Sequence, residues 1–174
     1  LDLMLLDGSG FDLCKELLAF LPSNNREQAP RIPCSDPTDR ESPELDGLVP
    51  DDPNRPYDMK QVIAAVTDDG RFLEVLPYYA TNAICGFTRF GGRAAGLVAN
   101  QPKSKAGVLD INACDKLARF IRFCDLFNLP VISLTDCPGY LIGSQQDWNG
   151  ILRHGAKLLF AWADATVPLV SIIL

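Results

Sequence analysis

The last third of the chain constrains its fold most. Residues 131–135 (VISLT) form a short apolar, β-branched run that Pro138 and Gly139 break. Residues 146–164 then carry apolar side chains at helical spacing, and 167–174 (VPLVSIIL) form a second apolar run. Strand, turn, helix and strand in this order predict a βαβ unit, whose right-handed crossover makes its two strands parallel. On that helix Ile151, Leu152, Gly155, Leu158, Leu159 and Trp162 share one face, and the glycine on it implies close packing against a neighbour. Upstream, 84–99 (ICGFTRFGGRAAGLVA) predicts two strands joined at Gly91 and Gly92, a two-residue hairpin signal. A strong helix is expected at about 112–127, with Cys114, Leu117, Ala118, Ile121 and Cys124 inward and Lys116, Arg119 and Arg122 outward. Residues 59–66 (MKQVIAAV) suggest another, with Asp58 as N-cap. The expected class is α/β on a largely parallel sheet.

The first third has a different character. Residues 11–21 have the pattern of one amphipathic helix that stops at Pro22. Residues 22–56 hold eight of the 13 prolines and no sustained period, the composition of an extended connector. One helix cannot enclose a core, so residues 1–21 are expected to be the tail of a domain that is mostly absent. The strand at 167–174 has no helix after it, so a second truncation is expected there and the chain is expected to be a fragment. Residues 1–60 carry 13 acidic against 6 basic residues, and the remainder 9 against 10. Neither part offers the basic stripe of a nucleic-acid surface. No apolar run approaches the roughly 18 residues of a membrane span, and Asp2 and Asp7 stand where a secretory leader would be basic. Six cysteines form no CxxC pair and no cluster with the single histidine, so no zinc site is expected. A reducing compartment is the simplest setting.

Parallel α/β sheets collect ligands where strands end and helices begin, the place of residues 136–145. Pro138 has no N–H, but Gly139, Tyr140 and the residues after them do. Backbone N–H groups at a helix start can stabilise a carbonyl oxygen that gains negative charge. A plain structural turn is the commoner use of such a sequence, and Gly143 fits either role. Cys137 could be a nucleophile, but His154 is 17 residues away and no neighbour in sequence activates a thiolate. His154 is better explained as a packed or hydrogen-bonded helix residue than as an acid or base. Asp136 could serve as a base or cap the turn through its side chain, and the cap is favoured. The loop 100–107, with Lys103 and Lys105, is either a pocket wall or an exposed connector. Gly91 and Gly92 precede no helix, so a hairpin is favoured over a phosphate loop.

SNNR (23–26), DPTDR (36–40), PELD (43–46), PYDM (56–59), NQP (100–102), LDIN (109–112), ARFIRFCD (118–125), DCPGY (136–140) and RHGAKLL (153–159) together resemble the biotin-dependent acyl-CoA carboxyltransferases. The likeness runs from about residue 11 onward; residues 1–10 match poorly. It implies a crotonase/Clp-protease-like spiral ββα fold built as two similar domains. Residues 1–21 would then be the C-terminal helix of the N-terminal carboxyltransferase domain, 22–57 a Pro-rich acidic linker, and 58–174 the first half of the C-terminal carboxyltransferase domain. It also implies carboxyl transfer from biotin, carried on a partner, to the α-carbon of propionyl-CoA or acetyl-CoA, with no metal. The implied partners are a biotin carboxylase/biotin carboxyl carrier subunit and further copies of the subunit in a dimer-built hexamer, in the cytoplasm or mitochondrial matrix. Asn100, Gln101, Pro102, Pro138, Gly139, Tyr140 and Gly143 would belong to the biotin-side pocket. The family's oxyanion-hole glycines would lie before Leu1 and, as Gly-Gly-Ala, after Leu174, so these 174 residues are expected to be inactive alone. Acyl-CoA decarboxylases and transcarboxylases share the motifs and are the alternative, with a non-catalytic scaffold of the same fold behind them.

Overall fold

The computed structural model describes residues 9–37, 39–50, 52 and 55–174. The expectations for residues 1–8, and for Thr38, Asp51, Pro53 and Asn54 within 22–57, lie outside the described residues. Five strands form one sheet: β1 (Phe72–Glu74), β2 (Ala83–Phe90), β3 (Arg93–Asn100), β4 (Val131–Thr135) and β5 (Leu169–Ile173), side by side in chain order. β1, β2 and β3 pair antiparallel, whereas β3, β4 and β5 pair parallel. The helices are α1 (Ser9–Phe20), α2 (Met59–Val66), α3 (Ile111–Leu126), α4 (Ser144–Trp148) and α5 (Ile151–Asp164). Residues 21–37 take neither helix nor strand. They are held against the hairpin by Ile32 N–H donating to Gly92 O and by the Arg89 guanidinium donating to Pro30 O.

Period two along the central strands decides which helix covers which face. Ala83, Cys85, Phe87 and Val98 join Phe120, Ile121, Cys124 and Leu158 of α3 and α5 in one core. Ile84, Leu97 and Ala99 join Met59, Val62 and Ile63 of α2 in a second core on the opposite face. Both faces of β2 and β3 are covered, which is why these strands are continuous apolar runs without a polar alternation. The β2–β3 turn forms because Gly91 and Gly92 take φ 58° and 76°, the left-handed pair a tight hairpin requires. The Asp68 carboxylate accepts both their N–H groups, at 2.9 and 2.7 Å. Asp58 caps α2 by accepting Lys60 N–H, and Asp110 caps α3 by accepting Ala113 N–H.

Four expectations need correction. The sheet is mixed and not largely parallel, since two of its four pairings are antiparallel. Lys116 does not face outward: it is 3% exposed, and its ammonium donates to the carbonyls of Leu76, Tyr79 and Ala83. The carbonyls of the loop above α3 take the place of the water that would otherwise solvate the charge. The single helix expected at 146–164 is two, because Gly150 at φ 83° interrupts it. Leu152 and Leu159 are 84% and 63% exposed, whereas Ile151, Gly155, Leu158 and Ala161 form the buried face. That break rotates the apolar stripe by about one residue.

Candidate functional site

β3 and β4 run parallel, so their carboxyl ends lie together, Asn100 closing one and Asp136 following the other. The Asn100 side chain clamps the second end to the first. Its Oδ1 accepts Asp136 N–H at 2.8 Å and its Nδ2 donates to Asp136 O. Gly107, at φ 74°, packs against this clamp; a Cβ there would stand 2.5 Å from Asn100 Nδ2 and 3.1 Å from Asp136 O. The next segment stitches on the far side of the turn. Leu109 N–H donates to Gly139 O at 2.9 Å, and Leu141 N–H to Leu109 O at 2.8 Å. Tyr140 lies between these two bonds, and its ring rests on α5, where a Cβ at Gly155 would come 3.0 Å from it. Gly155 therefore has the close-packing role its place on the helix implied.

This stitching uses Gly139 O but leaves the N–H groups of Gly139 and Tyr140 donating to nothing among the described residues. Gly139 has φ 134°, a conformation side-chain-bearing residues avoid, with open space where a Cβ would be. Pro138, Tyr140 and Ile142 border this opening as exposed residues, and Gly143 at φ 141° leads into α4. The turn can thus offer two backbone donors beside apolar surface to a ligand carbonyl.

The other expected site residues take supporting places. Gln101 braces α2, its Oε1 accepting Met59 N–H at 3.1 Å and its Nε2 donating to Asp58 at 2.8 Å. Pro102 is buried beside it. Lys103 pairs with Asp58 and Lys105 with Asp110. Burial pushes the Asp58 carboxyl up, but hydrogen bonds from Gln101, Lys60 N–H and Lys103 together hold it below the usual carboxylate range. His154 is tied to α3, its Nδ1 lying 2.8 Å from Asp115, a carboxylate that Lys157 shares. That is a structural role. The Cys137 thiol donates to Gly139 O. Asp136 is fixed through its backbone by Asn100; among the described residues its carboxylate caps no backbone N–H, contrary to the expected side-chain cap.

Sequence reasoning gave Tyr57 no part in the site. It is 8% exposed and packs with Ala99 and Leu134, the residues just inside the two strand ends. Its buried hydroxyl completes no hydrogen bond. Burial first, then the nearby Asp136 carboxylate, raise its pKa above the ordinary tyrosine value. Nothing local in a Pro-rich segment announces such a placement. Among the described residues no group of three or more His, Cys, Asp or Glu could hold a metal ion, and no helix is long and apolar enough to cross a membrane.

The family profile described as Carboxyl transferase domain matches residues 3–174. The α subunit of methylmalonyl-CoA decarboxylase from Veillonella parvula is 56% identical over 157 residues, covering 90% of this chain and 31% of that protein. The β chain of propionyl-CoA carboxylase from Saccharopolyspora erythraea is 54% identical over 167 residues, covering 91% and 31%. The crystal structure of the hexameric 12S core of a transcarboxylase, with methylmalonyl-coenzyme A and methylmalonic acid bound, superposes with a TM-score of 0.93 at 46% identity, covering 96% of this chain and 32% of that one. The chain spans about a third of the length of these relatives.

Proposed function

Because the chain belongs to the carboxyl transferase domain family and has its crotonase-like α/β fold, we propose that it is part of the carboxyltransferase subunit of a biotin-dependent acyl-CoA carboxylase. The parent would transfer a carboxyl group from biotin, delivered by a biotin carboxylase/carrier partner, to the α-carbon of propionyl-CoA or acetyl-CoA. Residues 9–21 would close a first domain, 22–57 would connect, and 58–174 would begin the second domain, within an oligomer. The observation that carries this reading is the turn after β4, whose two unengaged N–H groups suit the ureido carbonyl of biotin. Bound carboxybiotin supplies the activated carboxyl group. This chain's residues bind and orient: Gly139 and Tyr140 offer the donors, Asn100 and Gly107 hold them in place, and Tyr140 and Ile142 limit water beside them.

The test is carboxylation of propionyl-CoA by the intact complex, supplied with ATP and labelled bicarbonate. Label in the product supports the reading; none with either propionyl-CoA or acetyl-CoA overturns it. Gly139→Val in the complete subunit should abolish transfer while leaving assembly unchanged, because it alters the turn's backbone and meets no neighbour. The decarboxylase relative at 56% identity and the transcarboxylase structure at TM-score 0.93 favour a second reading, in which the parent takes the carboxyl group from an acyl-CoA donor. Transfer that needs no ATP or bicarbonate but requires a carboxylated acyl-CoA would establish it.

A further inference from the structure

We propose that Tyr57 is a positioning residue for the turn after β4, its hydroxyl closing onto the Asp136 carboxylate when a ligand occupies the N–H groups of Gly139 and Tyr140. The inference rests on the reading of that turn as a ligand wall and adds a residue to it.

The ring lies beneath both strand ends, in contact with the core that holds Ala99 and Leu134. The polar side chains nearest the turn are engaged, and of the Asn82 amide only the oxygen is left without a partner. Asn100 is used by the backbone of Asp136, Gln101 by Asp58 and Met59, and Asp110 by Lys105 and Ala113. The Tyr57 hydroxyl is buried without a completed bond, and the Asp136 carboxylate is the charged group that acts on it. A buried hydroxyl left unpaired is a standing penalty that phenylalanine would not carry, so a tyrosine at this place is explained by a state in which the bond is made. Making it fixes the peptide units that lead from Asp136 to Gly139, and so the direction of the two free donors. By linkage, a ligand that immobilises those donors favours the Tyr57–Asp136 bond, and loss of the bond weakens that ligand.

The experiment uses the complete subunit with free biotin as carboxyl acceptor and a carboxylated acyl-CoA as donor. Tyr57→Phe, Asp136→Asn and the double variant are compared with wild type. The expected result is a KM for biotin raised about tenfold in each single variant and by the same about tenfold in the double, as for loss of one shared hydrogen bond to a charged group, while the KM for the acyl-CoA is unchanged. An unchanged biotin KM in Tyr57→Phe, or independent effects that multiply to about a hundredfold in the double, overturns the pair. An equal rise in both KM values also overturns it, since a general loss of structure would do the same. Should Asp136→Asn not fold, Tyr57→Phe decides alone, because it removes one atom that satisfies nothing in the unliganded protein. A wild-type subunit that carboxylates no biotin overturns the wall itself, a result distinct from wild-type activity with unaltered Tyr57→Phe kinetics.

Discussion

The Lys116 ammonium sits under the 76–83 segment, accepted at 3.0 Å by Leu76 O, 2.8 Å by Tyr79 O and 2.7 Å by Ala83 O. Burial lowers its pKa, yet the three short bonds supply what water would otherwise give it. Lys116→Met keeps the stem and strips the donors from the carbonyls of Leu76, Tyr79 and Ala83, of which Leu76 O retains only Tyr79 N–H. It should cost about 3 kcal/mol, read as a lower urea midpoint with an unchanged slope. Asp110 shows the opposite sign of charge at work. Burial pushes its carboxyl up, but Lys105, Ala113 N–H and Asn82 together hold it below the usual carboxylate range. A depressed folded-state pKa contributes stability that is present above the unfolded value of about 3.9 and is lost as pH falls through the folded one. Asparagine also caps helices, so Asp110→Asn isolates the charge. Wild type should exceed this variant by about 1 kcal/mol at pH 6, and the difference should shrink steadily below pH of about 4. A difference constant between pH 6 and pH 2.5 would assign the effect to the cap alone.

At the scale of elements, α5 and the turn after β4 are coupled through Gly155. Alanine there would gain about 1 kcal/mol of helix propensity, but its Cβ would stand 3.0–3.1 Å from the Tyr140 ring. Tyr140 is 40% exposed, so the ring can swing outward instead of straining the helix. Gly155→Ala should therefore leave the melting temperature within a few degrees of wild type while, under the proposed function, raising the KM for biotin in the complete subunit. Unchanged kinetics would show that the ring's position does not matter to the site. The same contact shows what the sequence could disclose. Gly155 on an apolar stripe announced close packing, the Gly91–Gly92 hairpin and the Asp58 cap followed from local chemistry, and the buried face of α3 followed from spacing. Lys116 was misplaced because its acceptors lie 33 to 40 residues away and belong to a loop with no periodic signal. The break at Gly150 escaped because the apolar pattern runs through it, although Asn149 and Gly150 together carry the composition of a helix end. Of the site, the motifs located both strand ends. That Asn100 would spend its amide on Asp136, and that Tyr57 would lie beneath them, depends on pairing between segments that no local pattern encodes.

At the scale of the whole molecule, the sheet is protected unevenly. β2 and β3 are covered on both faces, whereas every residue of β5 is exposed, with Val170 49%, Ile172 45% and Ile173 84% open to solvent. Beyond it Leu152, Leu159 and Phe160 of α5 are exposed as well. Among the described residues β5 is an edge of the sheet, and an apolar edge strand with free backbone groups is a template for another chain. Opposing this is charge: −6 at pH 7, vanishing near the isoelectric point of about 4.7. The 174-residue chain on its own should therefore self-associate, and increasingly so as pH falls from 7.5 toward 5, where like-charge repulsion fades. Sedimentation velocity across that range measures it. Ile173→Lys removes an apolar side chain from the contact and adds a charge to the edge. With roughly 60 Å² of apolar area at ~25 cal/mol per Å², it should weaken association about tenfold. Lysine in place of Arg122, on the exposed face of α3, keeps the charge and should change nothing. If Ile173→Lys associates as wild type does, the contact lies elsewhere, and the exposed face of α5 is then the surface that holds the copies together.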